Sequence, residues 1–185
     1  MTPTWLLDTA RAFTSLRGRR VESWTGVEMA FREDPPRFTD PGVHCLQLLG
    51  LRAQMDSGRV LTITTYQYDS PDDLLFGLRP NPDYDVSDDG SHRGSYRWRA
   101  LTELPTGRVD DVATFRDEGV LAEIRLQIEG QPLLLIAGEF DETPEGGLLL
   151  HPLDDSVLAF TEPGAAERAP WTTPRNPTRT TDAEL

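Results

Sequence analysis

Paired carboxylates are the residues of this chain whose types and spacing most directly allow chemistry. Two neighbouring acids can supply the general acid and the general base of a hydrolytic reaction. Three such pairs are candidates, at Asp110 and Asp111, at Glu139 and Asp141, and at Asp154 and Asp155. Because alternate residues of a strand share a face, Glu139 and Asp141 are the best candidates for a catalytic pair. A chain with 31 acidic residues also contains such pairs by chance.

A second group of acids lies in a long polar segment, residues 79–96. Within seven consecutive positions this segment contains four aspartates, Asp83, Asp85, Asp88 and Asp89. The spacing from Asp85 to Gly90 follows the start of an EF-hand calcium loop, but Tyr96 stands where that loop needs a bidentate carboxylate. Three interpretations stay open: a calcium site, a carboxylate-rich surface that binds a partner protein, and a solvated loop.

The histidines and the single cysteine form no recognisable motif. His44, His92 and His151 are far apart, and neither paired cysteines nor a His-Glu-x-x-His pattern is present to bind zinc. Cys45 follows His44 directly, and neighbouring residues of a strand point to opposite faces. We therefore expect Cys45 to be a buried structural thiol, and we predict neither a metal site nor a cofactor.

Three aromatic residues in or beside predicted strands are candidates for a ligand groove. Tyr66 and Tyr68 share one face of a strand, and Trp98 begins another strand. Rings in such positions more commonly pack across neighbouring strands. A small-molecule-binding β-barrel, with its ligand among these three residues, is therefore an alternative function.

The basic residues are all arginines, because none of the 18 Lys+Arg positions is a lysine. The absence of lysine excludes Schiff-base enzymes, P-loop nucleotide hydrolases and protein kinases, since each uses the lysine amine. Coding bias in a GC-rich genome explains such a composition, and selection against lysine modification is the alternative explanation.

The formal net charge of −13 is spread along the chain. A molecule of this charge repels nucleic acid and anionic membranes, whereas it attracts a cationic protein. The longest apolar run, residues 133–137, is far shorter than the roughly 20 residues of a membrane-spanning helix. Charged residues also interrupt the N-terminal stretch where a signal peptide would be apolar, so we expect a cytoplasmic, bacterial protein.

Hydrophobic periodicity predicts an N-terminal helix followed by strands. Apolar residues at helical spacing from Leu6 to Leu16 predict a helix over about residues 3–16. Val27, Met29 and Phe31 then alternate with Glu28, Ala30 and Arg32, which is typical of a strand buried on one face.

Later segments add one more helix and several strands. Ser70, followed by Pro71 and two aspartates, predicts a short helix through Leu78. Alternation predicts that Ile124, Leu126 and Ile128 share the buried face of a strand. The apolar run at 133–137 predicts a central strand covered on both faces.

These patterns predict an α+β fold, with the N-terminal helix packed on a curved antiparallel sheet or partial barrel of seven or more strands. Residues 1–162 would form this single domain, and the Pro/Thr-rich residues 163–185 would be a mostly disordered tail that folding does not need. The leading functional prediction is a non-catalytic binding protein that docks a basic protein surface, as an antitoxin or immunity protein does, through Asp83, Asp85, Asp88 and Asp89.

Overall fold

The structure is a computed structural model that describes residues 3–69, 74–84, 94–162 and 164–181. The predicted contact residues Asp85, Asp88 and Asp89 lie outside the described residues, and so does the predicted helix start at 70–73. The elements are α1 (Thr4–Thr14), β1 (Arg20–Met29), β2 (Arg32–Glu33), β3 (Pro36–Arg37), β4 (Cys45–Met55), β5 (Val60–Asp69), β6 (Leu74–Pro80), β7 (Tyr96–Ala100), β8 (Gly107–Asp117), β9 (Val120–Ile128), β10 (Gln131–Glu142), β11 (Leu148–Phe160), α2 (Ala165–Arg168) and β12 (Thr178–Arg179).

The N-terminal helix is confirmed in type and nearly in extent. Pro3 precedes α1, and its carbonyl oxygen accepts a hydrogen bond from the Leu6 amide at 3.1 Å. Leu6, Ala10 and Phe13 are buried because residues three to four apart share a helix face. This face packs α1 against β8 and β9.

The strands form an antiparallel sheet in which part of the pairing closes on itself. The main sheet has ten strands in the order β6-β5-β4-β11-β10-β9-β8-β1-β7, with β12 paired to β8. An additional pairing joins β4 to β1, so β4, β11, β10, β9, β8 and β1 make a ring of pairings. The predicted antiparallel sheet is thereby confirmed.

Two hydrophobic clusters cover opposite faces of the strands that lead to the candidate site. The inner cluster includes Ile124, Leu126 and Ile128, which are at most 2% exposed and confirm the predicted face of β9. Strand β10 contributes Leu133, Leu135 and Ala137 to the inner cluster, whereas its Ile136 and Phe140 belong to the outer cluster. The predicted cover on both faces of β10 is therefore confirmed.

The predicted helix ending at Leu78 is wrong in the part that the structure describes. Residues 74–80 form β6, which pairs antiparallel with β5 from Leu74 opposite Asp69 to Pro80 opposite Ile63. The capping pattern is a local preference of modest size, and the backbone hydrogen bonds to β5 override it. Gly77 allows the close approach, because a Cβ there would lie 2.8 Å from Tyr66 and from Val120.

The predicted buried face, Val27, Met29 and Phe31, is wrong in part, because only Phe31, which follows β1, is buried. Glu28 is fully buried, and Val27 and Met29 are only half-buried. The pairing with β4 shifts between Val27 and Glu28, which breaks the simple alternation. Glu28 is buried together with counter-charges, since its Oε2 accepts hydrogen bonds from Nε of Arg97 at 2.6 Å and of Arg99 at 2.8 Å.

The described residues 164–181 pack on the sheet, which differs from the expectation of a mostly disordered tail. Ala165 and Ala166 are buried in the outer cluster, and Trp171 packs against it. Thr178 and Arg179 pair with β8. Arg175 donates a hydrogen bond to buried Glu123 and stacks on the Trp171 ring. The division of the chain at residue 162 stays a prediction.

Candidate functional site: an acidic cleft at one end of the ring

The acidic cleft is a depression of about 350 Å³ at the end of β1 and β10. Carboxylates dominate its charged residues, and apolar or amide side chains complete its wall. Its lining residues are Met29, Ala30, Phe31, Arg32, Glu33, Asp34, Gln47, Glu139, Phe140, Asp141 and Glu142. Both members of the predicted catalytic pair, Glu139 and Asp141, therefore line one cleft.

Strand alternation places Glu139 and Asp141 on the same face of β10, at the cleft. Leu133, Leu135 and Ala137 point into the inner cluster, and Glu139 and Asp141 continue the same alternation beyond it. The polar residues thus begin where the apolar interior of the ring ends. Gln47 fixes the adjacent backbone, because its Oε1 accepts a hydrogen bond from the Phe140 amide at 2.6 Å.

An irregularity in β11 adds two more acids. The pairing of β10 with β11 passes from Ala137 opposite Val157 directly to Gly138 opposite Pro152, so residues 153–156 bulge from the ladder. Asp154 and Asp155 lie in this bulge, and both raise the pKa of Glu139. The candidate pair Asp154 and Asp155 therefore acts on Glu139, a member of another candidate pair.

Glu139 has a pKa raised from 4.5 to about 7. Burial is the largest cause, and the negative charges of Asp154, Asp141, Asp155 and Glu33 add to it. The nearby basic side chains contact other acids: Arg32 Nε lies 3.3 Å from Glu142 Oε1, and His151 Nε2 lies 3.1 Å from Asp141 Oδ2. Among the described residues, none forms an ion pair with Glu139.

The polar segment with the four aspartates ends beside this cleft. Asp83 precedes Tyr84, whose pKa is raised by burial and by the negative charge of Asp155. Near the end of the segment, the Ser95 carbonyl oxygen accepts a hydrogen bond from the amide of Ala30, a cleft residue. Asp85, Asp88 and Asp89 are outside the described residues.

Comparison with protein-family models, curated proteins and solved structures finds no match. The function of the chain is therefore inferred from its own residues. In the described ranges, no group of three or more His, Cys, Asp or Glu residues is arranged to hold a metal ion. Neither helix of this part of the chain is long and apolar enough to cross a membrane.

The aromatic candidates for a ligand groove pack mainly on other aromatic and apolar residues. The Tyr66 ring lies 5.3 Å from the Trp5 ring, and the Tyr68 ring lies 6.1 Å from it. Burial raises the pKa of Tyr66. Trp98 lies on β7, where it is paired opposite Val27 of β1. A ligand among these three residues stays a prediction, and cross-strand packing accounts for the observed contacts of the two tyrosines.

His44 and Cys45 lie in different surroundings, as neighbours on an extended chain do. His44 Nδ1 is 3.1 Å from Glu162 Oε1 at the surface. Cys45 packs against the outer cluster, and burial raises the pKa of its thiol. A raised pKa disfavours the thiolate that a nucleophile needs.

Replacing Glu139 by glutamine is expected to stabilise the protein at about pH 8 and to have little effect near pH 4. The folded state holds the Glu139 proton more tightly than the unfolded state, so wild-type stability falls as the pH rises from 4.5 to about 7. After allowance for solvent screening of this half-buried group, the loss is roughly 1 kcal/mol, or about 2–4 °C in thermal midpoint.

Thermal unfolding of both proteins across this pH range measures the effect. Glu22→Gln is the matched control, because Glu22 is exposed near the start of β1, away from the cleft. Equal midpoints for wild type and Glu139→Gln at both pH values would show that the Glu139 carboxyl titrates normally.

Proposed function

We propose that the protein is a non-catalytic binding protein whose acidic cleft docks a basic surface of a partner protein, in the manner of an antitoxin or immunity protein. The observation that carries the proposal is Glu139, a half-buried carboxyl with a pKa near 7 among four further acids. We further propose that the ring of pairings is a partial barrel with this cleft at its end.

A cation from a partner would remove the repulsion that raises the Glu139 pKa. An arginine or lysine side chain beside Glu139 favours its ionised form, so binding near neutral pH releases a proton from it. Binding is consequently tighter above pH 7 than below it. The remaining charge of the molecule, −13 in all, steers a basic partner towards the surface and makes association sensitive to salt.

The proposal is tested by the binding of an oligo-arginine peptide to wild type and to two variants that each lack three acidic residues. In the cleft variant, Glu33, Glu139 and Asp141 are replaced by their amides. In the control variant, the exposed acids Glu22, Asp56 and Asp110 are replaced instead. We expect the cleft variant to bind on the order of tenfold more weakly than wild type, since it loses carboxylates that converge on one ligand.

The control acids lie at the opposite end of the sheet. The backbone amide of Asp56 donates a hydrogen bond to the Arg20 carbonyl oxygen, and the Asp110 carboxylate accepts one from the Gly130 amide. Equal weakening in both variants would mean that peptide binding reflects net charge alone and would overturn a specific docking site. A third variant with Asp83, Asp85, Asp88 and Asp89 replaced by asparagine tests the polar segment in the same assay.

A hydrolase is the second candidate, and the raised pKa of Glu139 is the observation that favours it. A carboxyl with a pKa of about 7 can both donate and accept a proton at neutral pH, which general acid–base catalysis requires. Asp141 would be the second carboxylate, but it lies in a surface pair with His151. Hydrolysis of a glycoside or ester panel that Glu139→Gln abolishes would favour the enzyme over the binding protein.

A further inference from the structure

A second cleft lies at the other end of the molecule, between α1 and the turn that joins β4 to β5. It has a volume of about 350 Å³. Ala12, Leu16, Met55, Leu61 and Pro80 supply much of its wall. Val60 on its rim is 41% exposed, which is high for a valine in a strand. The cleft therefore offers an apolar surface of the size of a small ligand site.

The charged side chains that line this apolar cleft are basic, although the protein as a whole is acidic. Arg19 and Arg59 line it, and its lining among the described residues includes no Asp or Glu. Neighbouring arginines are neutralised: Arg17 Nη2 lies 2.9 Å from Asp111 Oδ1, and Arg20 Nη1 lies 2.9 Å from Glu129 Oε1. Within the described ranges, Arg19 and Arg59 form no such ion pair.

We propose that the apolar cleft binds a small amphipathic carboxylate, whose hydrocarbon or aromatic body lies on Leu16, Met55 and Leu61 and whose anionic group is held by Arg19 and Arg59. Guanidinium groups bind carboxylates well because their donors can pair with both carboxylate oxygens. In a molecule with a charge of −13, two arginines that form no ion pair with any described carboxylate give this apolar opening its selectivity for an anion.

The nearby negative features do not reverse this preference. Asp56 and Asp83 are close in the chain to lining residues but do not line the cleft. The C-terminal end of α1 contributes a partial negative charge of about half a unit, against the two full charges of the arginines. This site is independent of the acidic cleft, so either can fail without the other.

A pair of fluorescent probes with the same aromatic body tests the site. Anilinonaphthalene sulfonate carries one negative charge, and phenylnaphthylamine is its neutral counterpart. We expect wild type to bind both probes, and we expect Arg19→Gln with Arg59→Gln to weaken binding of the sulfonate about tenfold or more while leaving the neutral probe unchanged. Ala12→Trp, which fills the cleft, should abolish binding of both probes.

Two exposed arginines elsewhere give the matched control, since Arg37→Gln with Arg179→Gln changes the net charge equally. That control should bind both probes as wild type does, and decanoate should displace the sulfonate from wild type. The proposal is overturned if the Arg19 and Arg59 variant binds the sulfonate as tightly as wild type, or if Ala12→Trp, still folded by circular dichroism, keeps both probes.

Discussion

Truncation after Glu162 is expected to lower the thermal midpoint by about 10 °C. The truncated chain loses Ala165, Ala166 and Trp171 from the outer cluster and exposes that face of the sheet to water. It also leaves the buried carboxylate of Glu123 without Arg175. We expect these two losses together to cost about 3–5 kcal/mol, and each kcal/mol corresponds to about 2–4 °C for a protein of this size.

Two single substitutions separate the ion pair from the rest of the segment. Arg175→Gln should lower stability by roughly 2 kcal/mol, because Arg125 remains as a second partner of Glu123 at 3.2 Å. Arg179→Gln is the control in the same segment, since Arg179 is exposed on β12, and should change stability by less than about 0.5 kcal/mol. An unchanged midpoint after truncation would restore the interpretation of residues 163–185 as a dispensable tail.

Leu126→Ala is expected to cost about 2–5 kcal/mol of unfolding free energy. Leu126 is 2% exposed in the inner cluster, so its truncation removes buried methyl groups and leaves a cavity in a packed region. Gln127→Ala, at the next position of the same strand, is the matched control. Gln127 is exposed, and its substitution should cost less than about 0.5 kcal/mol.

Urea unfolding of the two variants measures both values in one experiment. Equal costs would contradict the register of β9, because a shift by one residue would exchange the buried and exposed faces. A change in the urea dependence of Leu126→Ala alone would instead indicate a change in the unfolded state.

The sequence was most informative where one pattern extended over a whole element. Helical spacing predicted α1, and the apolar run at 133–137 predicted that β10 is covered on both faces. The cover on the outer face comes partly from residues 165–171, which composition alone assigned to a disordered tail. Composition failed there because a few residues, above all Ala165, Ala166 and Trp171, supply the contacts, and an average over 23 positions hides them.

Local patterns failed where distant residues decided the structure. Glu28 is buried because Arg97 and Arg99 come from β7, about 70 residues later in the chain. The helix predicted up to Leu78 gave way to pairing with β5. The residues near Glu28 could not identify β7 as its partner, and the residues near Leu78 could not identify β5. Strand pairing is a property of the whole sheet.

The candidate site was predictable in part. Alternation on one strand was sufficient to put Glu139 and Asp141 on the same face. The contribution of Asp154 and Asp155 depends on the bulge in β11. Its local backbone sign is the positive φ of Leu153, 61°, and the sequence does not reveal a backbone angle. The apolar cleft was missed because Arg19 and Arg59 are ordinary surface arginines until α1 and the β4–β5 turn come together.

The closed ring of pairings also limits the order in which the strands can pair during folding. Residues 45–48 of β4 pair with residues 157–160 of β11, about 110 residues later in the chain. Such distant contacts make folding slow, since a long loop must be ordered before the contacts that stabilise it can form. During synthesis, residues 45–48 of β4 lack their β11 partner until β11 has been made. We therefore expect the growing chain to be exposed to aggregation in the interval before β11 emerges.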